Sequence, residues 1–136
     1  MAAPAKVRWI AALSAADDGR RGAIASRGKR VLVNIAGEAE AQGESAIAAR
    51  LGRLLAEIDN VIGSASADLA RLYNGAWRGK DGSTASAASI EKKVRLTTVN
   101  LDAAGWTLYF ADGKIFGGHT IEVWRGKRGV ETNLVG

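Results

Sequence analysis

His119 is the single histidine of the 136-residue sequence, and Asp112 and Glu122 are the carboxylates nearest to it along the chain. A histidine within hydrogen-bond reach of a carboxylate can act as a general base, so a small hydrolase or transferase using these residues is one hypothesis. A catalytic triad also needs a positioned serine, and the sequence has no Gly-x-Ser-x-Gly turn to hold one. We therefore expect a protein that is not an enzyme. We expect His119 to be structural, with its ring against Trp106 or Trp124 and one ring nitrogen bonded to the backbone.

The composition gives little material for a metal or cofactor site. The sequence has no cysteine and one histidine, which excludes disulfide frameworks, thiolate nucleophiles and zinc sites built from several Cys or His. The stretch Gly126–Gly129 lacks the spacing to a Lys-Ser or Lys-Thr pair that defines a phosphate-binding loop. We expect neither a metal nor a cofactor.

Trp124 stands out among the four tryptophans because of the strand in which it lies. In that strand it shares a face with Thr120 and Glu122, opposite Ile121 and Val123. An indole on a polar strand face is typical of a protein-binding anchor. Trp124 and Glu122 are therefore predicted to contact a protein partner.

The formal net charge of +5 is unevenly distributed. Residues 1–30 carry a net +5, residues 31–77 carry −3 and residues 78–136 carry +3. Basic surfaces attract polyanions or acidic proteins; the alternative is a solvated hairpin edge where Lys and Arg deter aggregation. The densest cluster has no interleaved aromatic residues that would stack on bases. We predict partner contacts at the cations of that cluster and of a later polar loop: Arg20, Arg21, Arg27, Lys29, Arg30, Arg78 and Lys80.

Apolar residues change their spacing twice along the chain. Near both ends of the chain, apolar residues recur at every second position, which predicts strands. From Ile47 to Tyr73 they recur at every third or fourth position, which predicts one amphipathic helix. Gly63-Ser64 is a point at which that helix could kink or divide, and Asn74-Gly75 is expected to end it in a left-handed cap. Arg78–Ser89 reads as a polar, mobile loop. The predicted strands are Val7–Leu13, Arg30–Ala36, Val94–Leu101, Trp106–Ala111, Lys114–Phe116, His119–Arg125 and Val130–Val135, with a weak apolar pair at Ala23 and Ile24.

These elements predict the fold class. Consecutive strands joined by short turns pair antiparallel, and one sheet face must cover the helix stripe. The expected fold is α+β, an antiparallel sheet of about six or seven strands packed on one long helix, in a single domain over residues 1–136. No apolar run reaches the roughly 20 residues of a membrane helix, and Arg8 interrupts the N-terminal apolar stretch, unlike a signal peptide. We expect a cytoplasmic protein without membrane contact.

The run Leu108–Val123, LYFADGKIFGGHTIEV, resembles the signature of a family of small bacterial domains. That signature reads approximately Phe-x-Asp-Gly-x-x-Phe-x-Gly-His-x-Ile-x-Val and follows a long helix. The chain departs from it at Gly117, where Trp is common. In the motif Asp112-Gly113 makes a turn, Phe116 is buried with Phe110, and Gly118 lets the chain bend so that His119 points inward.

The resemblance also implies a function, because members of such families are often regarded as candidate immunity proteins of bacterial toxin systems. We therefore expect a non-catalytic inhibitor that blocks a single protein partner, a toxin, by steric and electrostatic contact. Two alternatives remain open. One is a phage-encoded inhibitor of a bacterial defence complex, and the other is a basic nucleic-acid-binding module.

Overall fold

The computed structural model of the protein describes residues 4–12, 19–77 and 83–136. Arg78 and Lys80, two of the predicted contact residues, lie outside these ranges. The described residues form the following elements in chain order: β1 (Arg8–Ala12), β2 (Gly19–Ser26), β3 (Lys29–Ala36), α1 (Gly37–Glu40), α2 (Glu44–Leu72), a π-helical turn (Tyr73–Trp77), α3 (Ala87–Lys93), β4 (Arg95–Leu101), β5 (Trp106–Ala111), β6 (Thr120–Gly126) and β7 (Gly129–Val135).

The strands form one sheet in the order β1-β2-β3-β4-β5-β6-β7, so the expected α+β fold with one long helix is confirmed. The pairs β1–β2, β2–β3 and β6–β7 are antiparallel, as expected from their short connections. β3 and β4 pair in parallel, which departs from a purely antiparallel sheet. The reason is the connection: the chain between them passes through all three α-helices, and parallel neighbours need such a crossover.

α2 is a continuous helix of 29 residues that passes through Gly63, so the helix is not divided at Gly63-Ser64. Its end also differs from the prediction. The chain continues into the π-helical turn, and Gly75 has no left-handed φ. Asn74 instead closes the following loop, because its Oδ1 accepts from the N–H of Ala85 at 2.8 Å and its Nδ2 donates to the carbonyl of Ala85 at 2.9 Å.

α3 was missed in the sequence, where Arg78–Ser89 was predicted as a loop. Its start is stabilised by a capping box, in which the Ser86 and Ser89 hydroxyls each accept from the other residue's backbone N–H at 3.1 Å. Ile90 is its single fully buried side chain. A short Ala- and Ser-rich helix with one apolar anchor has too weak a periodicity to be read from spacing.

The chain forms two compact units, each made of two stretches of sequence. One comprises Met1–Ile58 and Thr97–Leu108, and the other comprises Asp59–Leu96 and Tyr109–Gly136. α2, β4 and β5 each run from one unit into the other.

In the first unit, Arg50 ties α2 to the turn between β4 and β5. Its guanidinium donates to the carbonyl of Asp102 at 2.7 Å and to that of Gly105 at 3.3 Å, and also to the Gln42 side chain at 3.0 Å. The Asp102 carboxylate organises the same turn by accepting the N–H groups of Ala104 and Gly105, both at 2.8 Å. The apolar core of this unit includes Val31, Val33, Ile35, Ile47, Leu51, Leu54, Val99, Leu101 and Leu108, all buried.

In the second unit, the apolar stripe of α2 packs against β5 and β6. Ile62, Ala65 and Leu69 of the helix line an apolar gap together with Phe110 and Val123 of the two strands. The Ser66 hydroxyl also lines this gap, is buried, and has no hydrogen-bond partner among the described residues. No helix in the described part of the chain is long and apolar enough to cross a membrane.

The isolated hydroxyl of Ser66 gives a stability prediction. We expect Ser66→Ala to raise the free energy of unfolding by about 1–2 kcal/mol, because it removes a buried polar group without a partner and favours the helix by about 0.5 kcal/mol. Ser64→Ala, on the exposed side of the same helix, is the control and should show only the helix-propensity gain. Chemical denaturation measures both, and equal effects of the two substitutions would contradict the prediction.

Candidate protein-binding surface

Trp124 and Glu122 lie on the outer face of β6. Burial alternates along this strand: Ile121 and Val123 are buried, while Glu122 and Trp124 are half-exposed and Thr120 is exposed. The face expected from the sequence is therefore the face found. The indole stands on a strand face that also carries the polar side chains of Thr120 and Glu122.

β5 and β7 add to this surface two residues, Tyr109 and Glu131, that were not predicted from the sequence. Tyr109 lies between the buried Leu108 and Phe110, and its hydroxyl donates to Oε2 of Glu122 at 3.2 Å. Glu131 of β7 stands opposite Trp124 in the strand register. We call Tyr109, Glu122, Trp124 and Glu131 the aromatic–acidic face. The alternation of buried and half-exposed residues in β5 would have been enough to place Tyr109 on this face. The position of Glu131 beside Trp124 follows only from the β6–β7 register.

The carboxylate of Glu131 lies across the end of β6, beside Gly126. The aromatic–acidic face thus combines two aromatic rings with two carboxylates. This arrangement suits a basic partner surface, because rings supply contact area at low entropic cost and the charges select and steer the partner.

The loop between β5 and β6 is organised around the buried carboxylate of Asp112. One oxygen accepts the N–H of Lys114 at 2.8 Å. The other accepts the N–H groups of Phe116 at 3.1 Å and Gly118 at 2.9 Å. The predicted strand Lys114–Phe116 is wrong, because residues 113–118 form turns around this carboxylate.

Burial alone would raise the pKa of Asp112, but hydrogen bonds outweigh it and hold the pKa below the ordinary value of 3.8. The bonds come from the backbone N–H groups of Lys114, Gly118, Phe116 and His119. The carboxylate is therefore ionised at neutral pH, and it stabilises the loop by accepting these hydrogen bonds.

Gly113 is required in this loop for two reasons. Its φ is +61°, in the left-handed region, and a Cβ there would lie 2.5 Å from the carbonyl oxygen of Lys93. The end of α3 therefore lies directly against the loop. In the Asp112-Gly113 pair, Asp112 therefore accepts the hydrogen bonds of the loop, and Gly113 lets the loop pass close to the end of α3.

His119 makes the kind of backbone contact that was expected. Its Nδ1 lies 2.5 Å from the carbonyl oxygen of Phe116, which assigns the proton to Nδ1 as donor. The ring meets Trp77 edge-on at 5.4 Å between centroids, a partner that the sequence did not suggest. Phe116, fully buried, in turn contacts the rings of Trp77 at 5.7 Å and Tyr73 at 6.1 Å.

The hypothetical catalytic residues are therefore engaged in separate contacts within the described chain. Asp112 is bonded to backbone amides, Glu122 to the hydroxyl of Tyr109, and Nδ1 of His119 to a carbonyl. Among the described residues, no group of three or more His, Asp or Glu side chains is placed to hold a metal ion.

The predicted basic cluster is divided between the two ends of the β2–β3 hairpin. The strand register places Arg21 opposite Asn34 at one end and Ser26 opposite Lys29 at the other. Arg20, beside Arg21, forms an ion pair with Glu44 at the start of α2. Arg27 lies in the turn and Arg30 follows Lys29, so the cluster is spread along the length of the hairpin and does not form one compact patch.

Within this cluster, the Arg21 side chain is held in place by hydrogen bonds through two asparagine side chains. The Nε of Arg21 donates to Oδ1 of Asn34 at 3.0 Å, and Nδ2 of Asn34 donates to Oδ1 of Asn100 at 3.0 Å. Because Val31, Val33 and Ile35 fill the inner side of β3, these three residues lie on the outer face. Arg30 lies on the same face of the sheet, and so does Arg8, because it pairs with Ala23 of β2. We call Arg8, Arg21 and Arg30 the arginine face.

No family model, curated protein or solved structure matches this chain.

The Asp112 loop gives a pH prediction. We expect Asp112→Asn to lower the free energy of unfolding by about 2–3 kcal/mol at pH 7, because one amide oxygen cannot accept all the backbone N–H groups that the carboxylate accepts. A depressed carboxyl pKa stabilises the fold fully above about pH 4, and this stabilisation is lost as the pH falls through the folded-state value. The difference between the two proteins should therefore shrink in acid.

Denaturant unfolding between pH 2 and 7 measures this effect. Asp68→Asn, which removes a carboxylate paired with Arg71 on the helix surface, is the control and should change stability by less than about 1 kcal/mol. A constant difference between wild type and Asp112→Asn over the whole pH range would contradict the prediction.

Proposed function

We propose that this protein is a non-catalytic inhibitor of the immunity type, which blocks one protein partner by contact through the aromatic–acidic face. The observation that carries the proposal is the half-exposed Trp124 beside Tyr109, Glu122 and Glu131 on adjacent strands. Sheet strands fix the backbone of these residues, so binding need not order the backbone and only side-chain entropy is lost. The likeness of Leu108–Val123 to the immunity-associated signature supports the same function.

The chemistry of the face indicates the kind of partner. Two carboxylates at the rim of aromatic contact area complement a basic surface. A toxin that acts on nucleic acid has such a surface where its substrate binds, and an inhibitor seated there would exclude the substrate without any turnover. Inhibition of an intracellular toxin takes place in the cytoplasm, where we propose that the protein works. A phage-encoded inhibitor of a defence complex would act by the same occlusion.

Substitution of Trp124 tests the proposal. The partner is first captured from the native host with the tagged protein, then purified so that its affinity can be measured. We expect Trp124→Ala to weaken binding at least 10-fold, as truncation of a central aromatic anchor does, and to abolish inhibition of the partner's activity. Thr120→Ala on the same face of β6 is the control and should weaken binding less than about 3-fold.

Two results would contradict the proposal. One is a partner that binds wild type and Trp124→Ala equally while both proteins keep the same melting temperature. The other is turnover of a substrate by the protein alone.

A second function is favoured by the arginine face. The Arg21–Asn34–Asn100 hydrogen-bond chain fixes one guanidinium at the outer surface of the sheet. Oriented arginines on one face can bind successive phosphates of a nucleic acid. We propose nucleic-acid binding at this face as the alternative function.

Titration of labelled DNA and RNA at several salt concentrations tests the alternative. If the arginine face binds phosphates, Arg21→Ala should weaken binding and reduce the slope of log K against log salt by about one. Arg53→Ala, which removes an exposed cation on α2, is the control and should leave the slope unchanged. Absence of binding at micromolar protein in low salt would end this alternative.

A further inference from the structure

β7 is an edge strand that lacks the usual protection against pairing with another chain. It is the last strand of the sheet and pairs with β6 alone among the described strands. Edges are normally blocked by lysine, proline or a bulge. β7 has no Lys, Arg or Pro, a single charged residue, Glu131, and a pairing with β6 that runs without a register shift. By contrast, β1 at the other edge begins with Arg8 and has an irregular register.

The register shows which backbone groups of β7 point outward. Gly126 and Gly129 are opposed in the register and flank the two-residue turn. The two residues that flank such a turn form the first hydrogen-bonded pair of a hairpin. Hydrogen-bonded and non-hydrogen-bonded pairs alternate along an antiparallel ladder. Val130, Thr132 and Leu134 therefore turn their N–H and C=O groups away from β6, towards the open edge.

These residues are self-complementary about Thr132. If a second copy of β7 runs antiparallel with the two Thr132 residues opposed, Val130 faces Leu134 of the second copy and Glu131 faces its Asn133. Each pair is favourable: two apolar side chains, a carboxylate with an amide, and two threonines. No like charges are opposed. The outward N–H and C=O groups then meet in the pattern of hydrogen-bonded pairs.

The side chains at the edge fit the same arrangement. Val130 and Leu134 are half-exposed although both are apolar, and pairing with a second copy would cover them with each other. A register shifted by one residue would turn the outer residues of one copy against the inner residues of the other. The register centred on Thr132 keeps polar residues together on one side and apolar residues on the other.

We propose that the protein forms a homodimer in which β7 pairs antiparallel with β7 of a second copy, with the two-fold axis at Thr132. This proposal shares Glu131 with the aromatic–acidic face but does not depend on the function proposed for that face.

Two substitutions of opposite charge at residue 133 test the proposed register between the two copies of β7. Asn133 is exposed, and in the dimer it faces Glu131 of the second copy. Asn133→Glu opposes carboxylates at two symmetric positions and should raise the dimer dissociation constant at least 10-fold. Asn133→Lys opposes unlike charges and should lower the constant or leave it unchanged. Sedimentation equilibrium over a range of protein concentrations measures all three proteins.

Because Asn133→Glu also adds a carboxylate across from Glu122 within the chain, a second variant is needed. Thr132→Pro removes the outward N–H at the centre of the edge and leaves every β6–β7 hydrogen bond, so a folded monomer is expected. Amide hydrogen exchange gives a further readout: the N–H groups of Val130, Thr132 and Leu134 should become protected as concentration rises.

The result that supports the proposal is a wild-type dimer that Asn133→Glu weakens and Asn133→Lys does not. Wild-type protein that stays monomeric at several hundred micromolar overturns it. A dimer that both Asn133→Glu and Thr132→Pro leave intact also overturns it, because its contact then lies elsewhere. If Thr132→Pro does not fold, the two charge variants and the exchange data decide.

Discussion

The buried carboxylate of Asp112 is the interaction on which the second unit of the structure depends. A loop with several left-handed residues leaves backbone N–H groups without strand or helix partners, and burial of those groups would cost free energy unless an acceptor is present. Asp112 supplies that acceptor. The loop can then place Phe116 in the core and His119 against Trp77, and it fixes the residue at which β6 begins.

The start of β6 matters because a strand has two faces and a period of two. A slip of one residue would exchange all inward and outward side chains. With β6 beginning at Thr120, Ile121 and Val123 enter the core, and Glu122 and Trp124 reach the outer face. The residues proposed to bind a partner are thus positioned by a loop that does not itself touch the partner. The loop built on Asp112, Gly113 and His119 thus supports the proposed function without supplying contact residues.

The sequence was sufficient for features carried by strong local patterns and insufficient for those set by tertiary contacts. Alternating residues gave the strands and the outward position of Trp124, and the spacing from Ile47 to Leu72 gave the long helix. The capping of α3 by Ser86 and Ser89 and the closure of the preceding loop by Asn74 each depend on a pair of hydrogen bonds that leaves no periodic trace. The spread of the basic cluster follows from the length of β2, which separates Arg20 and Arg21 at its start from Arg27, Lys29 and Arg30 at the turn.

The two proposals for this unit are linked by geometry. Residues directly opposed in an antiparallel pair lie on the same side of the sheet. Pairing of β7 about Thr132 would therefore place the aromatic–acidic faces of both copies on one side of a continuous sheet. A dimer would then offer two identical faces to a partner. Against a partner that is itself oligomeric, the second contact would become intramolecular, and its effective concentration would raise the overall affinity without any new contact type. A monomeric partner would gain nothing from the dimer, so the oligomeric state of the partner decides whether β7 pairing contributes to inhibition.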